Sequence, residues 1–331
     1  MRRADAANST SDTRELVHKA LAEQDALRHT LDQILGSVED HTIRFDPQHT
    51  VSLDPTDSTP SDGASPTIPP PLAPTNAPRI VVYCLGAFRL SVGGVQIRSW
   101  HSGRARALFQ YLVNHRERPI AKDTLIEALW PDPGASMPGT SLKVAVHTLR
   151  QLLGEVGSDG KLVIEAHEAG YQLSAPDAWL DVEEFEHSFV LGRRLEGQNR
   201  EADALRLYTH AAELYQGDFL EESWDDWVVF RREGLKDKYL FVLARLADAA
   251  VAARDYQGCI ERCQRLLEKD PCREDTYRTI MLCHSRLGQR GRVRCWYELC
   301  VRTLRQELDL APDPETEDVF RAALAGRLRP S

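Results

Sequence analysis

Residues 140–153 read Thr-Ser-Leu-Lys-Val-Ala-Val-His-Thr-Leu-Arg-Gln-Leu-Leu, and this stretch decides the fold. Leu142, Val146, Leu149 and Leu153 recur at steps of 4, 3 and 4, the spacing of one face of an α-helix. Thr140, Val144, His147, Thr148 and Gln151 fall on the opposite side. Lys143 and Arg150 flank that side, and residues 139–153 contain no acid. A helix divided in this way fits a DNA major groove, with short side chains toward base edges and cations toward phosphates. It is expected to begin near Pro138–Thr140.

The flanking sequence supplies the rest of a small domain. Ile80–Leu85, Phe88–Val92 and Val95–Ile97 are β-rich runs, the last two separated by Gly93-Gly94, which can supply the positive φ of a tight hairpin. Ser102–Asn114 has helical spacing through Ala105, Leu108, Phe109 and Leu112. Ala121–Leu129 has it through Leu125, Ile126 and Leu129 and stops at Trp130-Pro131. Leu162–Ile164 and Tyr171–Leu173 flank a glycine-containing turn. Strands, three helices and a hairpin are the order of a winged helix, a helix-turn-helix with a β wing.

Before this domain, residues 46–78 hold nine of the chain's eighteen prolines, including Pro69-Pro70-Pro71. That composition cannot bury a core and reads as an extended linker. Residues 1–45 include an amphipathic pattern at 11–35, through Leu16, Ala20, Leu27, Leu31, Ile34 and Leu35. It is either a helix docked on its own protein or a short partner helix. The sequence therefore divides into 1–45, 46–78, 79–176 and 177–331.

Beyond Asp181 the pattern is helical and repetitive. Cys259, Cys263 and Leu266 recur 34 residues later as Val293, Tyr297 and Cys300. Pro271 falls where the second helix of such a unit ends. A 34-residue period of paired helices is that of tetratricopeptide repeats. The expected fold class is mainly α with a small β component: a winged helix-turn-helix domain followed by an all-α tetratricopeptide-like solenoid.

The net charge of −9 is unevenly spread. Residues 79–175 hold 11 Lys and Arg against 8 Asp and Glu, whereas residues 1–78 hold 6 against 12 and residues 176–331 hold 24 against 30. The one basic segment contains the groove-type helix. The sequence opens without an apolar leader, and no run approaches the length of a membrane span, so a cytoplasmic protein with no membrane partner is expected. Its seven cysteines then read as reduced thiols. Cys259 and Cys263, four apart on one helix, are geometrically suited to a metal, but they occupy repeat packing positions and are more simply buried hydrophobes. No cofactor is expected. No phosphate-binding loop, nucleophile elbow or paired-histidine zinc motif occurs, which argues against an enzyme.

Taken together these residues resemble the SARP-type bacterial activators, in which an OmpR-like winged helix precedes a bacterial transcriptional activation domain of tetratricopeptide units. The first half of the likeness runs through Leu85-Gly86-x-Phe88-x-Leu90, Arg104-Ala105-Arg106-Ala107-Leu108 and Leu125-Ile126-Glu127-Ala128-Leu129-Trp130-Pro131. It continues in Leu142-x-Val144-x-Val146-x-x-Leu149-Arg150 and Gly170-Tyr171-x-Leu173. The second half is Gly217-Asp218-Phe219-Leu220, Trp227 with Arg231-Arg232, Asp270-Pro271-x-x-Glu274, Leu287-Gly288 and Glu307-Leu308. The departures are cysteines at alanine or aromatic positions and Asp309 where glycine is common. Without a nucleotide-binding motif after these repeats, a short family member is expected.

The resemblance implies an activator that binds tandem direct repeats in double-stranded promoter DNA near the −35 region. It also implies homodimers on DNA that recruit RNA polymerase through sigma factor and other subunits. Val144, Thr148 and Gln151 are the expected base contacts, because methyl groups meet thymine and Gln bonds adenine. Thr140 and Ser141 lie at the helix start beside them. Lys143, His147 and Arg150 are expected on phosphates, Arg104 and Arg106 on the DNA backbone, and His167 near the minor groove. Tyr171 and Trp227 read as packing residues, and Trp224 as a possible partner surface. Two other functions fit the same motifs: a repeat scaffold whose winged helix has lost DNA, and a ligand- or thiol-gated regulator.

Overall fold

The computed structural model describes residues 80–131, 138–156 and 161–326. The patterns at 11–35 and 46–78 lie outside the described residues. The described chain contains strands β1 (Ile80–Tyr83), β2 (Arg89–Val92), β3 (Val95–Gln96), β4 (Ile120–Ala121), β5 (Val163–His167), β6 (Gly170–Ser174) and β7 (Ala178–Leu180). Its first three helices are α1 (Gly103–Val113), α2 (Lys122–Leu129) and α3 (Pro138–Glu155). The later ones are α4 (Asp181–Gly197), α5 (Glu201–Leu214), α6 (Asp226–Ala252), α7 (Tyr256–Lys269), α8 (Glu274–Arg286), α9 (Arg290–Leu308) and α10 (Pro314–Leu324).

A winged helix followed by helical pairs is what the sequence leads one to expect. β1, β2 and β3 form an antiparallel meander, and β7 adds to β1 in parallel, giving the order β3-β2-β1-β7. The second sheet, β4-β6-β5, carries the wing. Two strands escape the sequence patterns. β4 is only two residues long and exists through its pairing with Tyr171 and Gly170 of β6. β7 is a three-residue segment whose partner lies at the start of the domain.

Gly170 has φ +154°, and a Cβ there would lie 1.8 Å from the Ile120 carbonyl oxygen. The close approach of β4 to the wing therefore requires glycine. Beneath the sheet, α1 buries Ala105, Leu108, Phe109 and Leu112, each no more than 1% exposed. Leu142, Val146, Leu149 and Leu153 of α3 are likewise buried, contributing roughly 1.5–3 kcal/mol each. Phe88, Trp100 and Phe109 close one end with centroids 5.2–6.2 Å apart.

The apolar core continues without a break from β1 to α6. The Gly217-Asp218-Phe219-Leu220 motif lies across the end of β1: Gly86 N donates to Asp218 O at 3.0 Å and Leu220 N to Cys84 O at 2.8 Å. Gly217 makes this approach possible, since a Cβ on it would stand 2.8 Å from Gly86 Cα. Asp181, 1% exposed at the start of α4, accepts from Cys84 N at 2.7 Å and Leu85 N at 2.9 Å. Arg232 donates to the carbonyls of Phe219, Leu220 and Ser223 at 2.6–2.9 Å. Trp227 sets its edge against Tyr111 and Phe219, the packing role its position suggests.

In the helical region, α7 and α9 begin 34 residues apart, as their shared pattern requires. The period does not extend backward, because α6 is 27 residues long. Asp309 ends α9 at φ 53°, ψ 36°, the left-handed cap that glycine commonly supplies and aspartate tolerates.

Candidate nucleic-acid interface

α3 presents an exposed face between α2 and the wing. Its first turn contains Pro138 and Gly139 and no acid. Proline is compatible with this position because a first-turn N–H has no helical partner. Thr140, Lys143, Val144, His147 and Gln151 are exposed, with Val144 at 58%, while Ser141 and Thr148 are half-buried. None of the side chains of Thr140, Lys143, His147, Thr148 and Gln151 has a hydrogen bond or ion pair among the described residues. In water these polar groups are hydrated, and together with the exposed valine they stay open to a partner.

The remaining cations of the expected site are engaged within the protein. Arg150 donates from Nε and Nη2 to the Ile164 carbonyl at 3.2 and 2.8 Å, tying α3 to β5. Arg104 donates to the Leu129 carbonyl at the end of α2, and its guanidinium lies over Trp130. Arg106 pairs with Glu222 at 2.6 Å and lies over Phe88. The structure thus does not group Arg104 and Arg106 with the exposed face of α3; it gives them helix-end and seam contacts instead. His167, at the wing turn, has Nε2 3.4 Å from Glu165. Glu165 and the adjacent Glu168 make the wing tip less cationic than the helix.

The structure also brings forward residues that the sequence patterns do not single out. A cavity of about 450 Å³ opens at the N-terminus of α3, lined by Lys122, Asp123, Ile126, Gly139, Thr140, Leu142, Lys143 and Tyr171. Lys122 Nζ lies 5.9 Å from the centre of the Tyr171 ring. Tyr171 is half-buried and borders this opening, so it combines packing with a polar rim. The recess gathers two ammonium groups, the hydroxyls of Thr140 and Tyr171 and a helix N-terminus, which favour an anion, against the single carboxylate of Asp123. Lys122 was hidden because its cationic neighbour Lys143 is on another helix.

Elsewhere, Cys259 and Cys263 have their Sγ atoms 3.9 Å apart and are no more than 1% exposed, with Cys283 buried beside them. Sharing a hydrogen bond with Cys259, together with burial, pushes the Cys263 thiol up. Among the described residues, no group of three or more His, Cys, Asp and Glu has the geometry to hold a metal ion. No described helix is long and apolar enough to cross a membrane.

The comparisons with known proteins fit this arrangement. Residues 100–173 match the family model of the transcriptional regulatory protein C-terminal domain, and residues 180–324 match that of the bacterial transcriptional activator domain. With the two in this order, the chain has the domain architecture of the SARP-type transcriptional regulators. The transcriptional regulatory protein EmbR of Mycobacterium tuberculosis is 28% identical over 232 residues, covering 70% of this chain and 59% of EmbR. MoaR1 of the same species, also a transcriptional regulatory protein, is 24% identical over 76% of this chain and 81% of its own length. The solved structure of Mycobacterium tuberculosis EmbR in complex with a low affinity phosphopeptide has the same fold. Its TM-score is 0.61 at 24% identity, over 76% of this chain and 66% of that one.

Proposed function

We propose that this chain is a sequence-specific DNA-binding transcriptional activator that binds direct repeats in promoter DNA and recruits RNA polymerase, sigma factor included. The observation that carries the reading is the outer face of α3, which has no acid before Glu155 in its last turn and on which the side chains of Thr140, Lys143, His147, Thr148 and Gln151 have no partner among the described residues. Val144, Thr148 and Gln151 meet base edges, with Thr140 and Ser141 at the groove entrance. Lys143 and His147 approach phosphates, and Lys122 joins them from α2. Arg150 acts through the wing, which it holds against α3, and His167 reaches toward the minor groove. Arg104 and Arg106 have supporting roles, fixing α2 and the seam.

A domain with few free cations has modest affinity for a single site, so protomers on adjacent repeats reinforce one another through effective concentration. The continuous core from β1 to α6 favours transmission of the DNA-bound orientation to the helical region without a flexible joint. The test is selection of random duplex DNA on the full chain, followed by anisotropy across salt concentrations. An enriched, repeated motif whose affinity falls with salt is expected. Weak salt-sensitive binding with no enriched sequence would favour the scaffold reading.

A further inference from the structure

Two exposed faces of the helical region have opposite chemistry. On α9, Arg290, Arg294, Arg302 and Arg305 are exposed and fall within about 120° of arc at roughly 100° per residue. None of the four side chains has an ion pair or hydrogen bond among the described residues. Residues 286–306 hold six arginines and a single acid, Glu298, which is exposed within the same arc between Arg294 and Arg302 and leaves the face net positive, although the region from 176 onward is acidic overall. On α6, Asp226, Val229, Phe230, Glu233 and Asp237 share a stripe of about 100°. Phe230 is 87% exposed and Val229 41%, with Trp224 at 61% just before the helix. Asp226 and Asp237 are unpaired among the described residues, and Glu233 is shared with Lys236 at 3.1 Å.

We propose that these faces bind each other between two copies of this chain: the arginine face of α9 on one protomer seats on the acidic, aromatic face of α6 on the next. Guanidinium groups pair with carboxylates and stack on aromatic rings, and the α6 stripe offers both around Phe230, while Trp224 beside it already has Arg232 of its own chain over one face. A basic partner alone would leave the α9 face uncovered, and an acidic one would leave Phe230 exposed. A second copy covers both. Within one chain both faces are open, so neither covers the other. The contact is heterologous, joining different surfaces, and so propagates in one direction. This polarity suits protomers in the same orientation on direct repeats. The inference deepens the pairing of protomers proposed above while resting on none of the DNA contacts.

The experiment is sedimentation velocity of the full chain without DNA, over a range of protein and salt concentrations. The wild type, Phe230→Ala/Glu233→Ala, Arg294→Ala/Arg302→Ala and their equimolar mixture are compared. The wild type is expected to associate with rising concentration, less so at high salt, and each double variant to associate at least about tenfold more weakly. The mixture is expected to regain a heterodimer that stops at two, because it retains one intact face of each kind. The substitutions are exposed, and unchanged melting verifies folding. A wild type that stays monomeric, variants that sediment like it, or a mixture that gains nothing would overturn the proposal. So would an Arg294→Ala/Arg302→Ala protein that associates normally and loses DNA affinity, which would assign the α9 face to DNA. Val144→Ala/Thr148→Ala should associate like the wild type, so a failure of the α3 reading stays distinguishable from a failure here.

Discussion

The seam between the winged helix and the helical region and the outer face of α3 treat polar groups in opposite ways. At the seam, Asp181 accepts from three buried N–H groups, two of them across the seam, Arg232 satisfies three carbonyls, and two glycines meet backbone to backbone. On α3, Lys143, His147, Thr148 and Gln151 are left unpaired around an exposed valine. A surface already satisfied holds the protein together. One left unsatisfied in water retains its bonding capacity for a partner.

The sharpest way to break this contrast is Asp181→Ala. It strands the Cys84 and Leu85 N–H groups in the core and should lower stability by about 3 kcal/mol, read by denaturant melts. A smaller effect separates two cations that look alike in sequence. Arg104→Ala should lower stability by about 1 kcal/mol, through the lost Leu129 carbonyl bond and Trp130 contact, with DNA affinity unchanged in the folded protein. Lys143→Ala should leave melting unchanged, weaken DNA binding across all sequences and reduce the salt slope by about one.

The smallest expected effect lies at Asp218, whose carboxylate accepts from Lys269 Nζ at 2.8 Å and from Tyr215 Oη at 3.0 Å. Burial alone would raise its pKa, but the lysine and tyrosine outweigh burial and hold it below the ordinary carboxylate range. The folded state therefore binds this proton less readily than the unfolded state. The stability it contributes is complete above the ordinary carboxylate range and is lost as pH falls through the lowered value. Because the pair is about a third exposed, the effect is on the order of 1 kcal/mol or less. Asp218→Asn should flatten this part of the acid limb in melts taken across pH, and an unchanged limb would remove Asp218 from the account.

The same contrast explains what could be read from the sequence. α3 was legible because its 3.6-residue period is local and its buried and exposed faces differ in kind. The α1 core, the wing and the shared period of α7 and α9 were legible for the same reason. β7 was not, because a three-residue strand is made by its partner β1 rather than by its own pattern. Arg104 and Arg106 resembled free cations because the groups that engage them, the Leu129 carbonyl and the Glu222 carboxylate, come from other elements. Lys122 gave no signal for a related reason: the recess it shares with Lys143 forms only when α2 and α3 pack.

The central claim is that the unpaired face of α3 reads sequence. Its most direct test is the ratio of affinities for the selected duplex and a scrambled one, measured at fixed salt for the full-length wild type and Val144→Ala/Thr148→Ala. The ratio should fall by about tenfold or more in the variant, with melting unchanged. A folded variant that keeps the wild-type ratio would contradict the assignment of α3 as the reading helix.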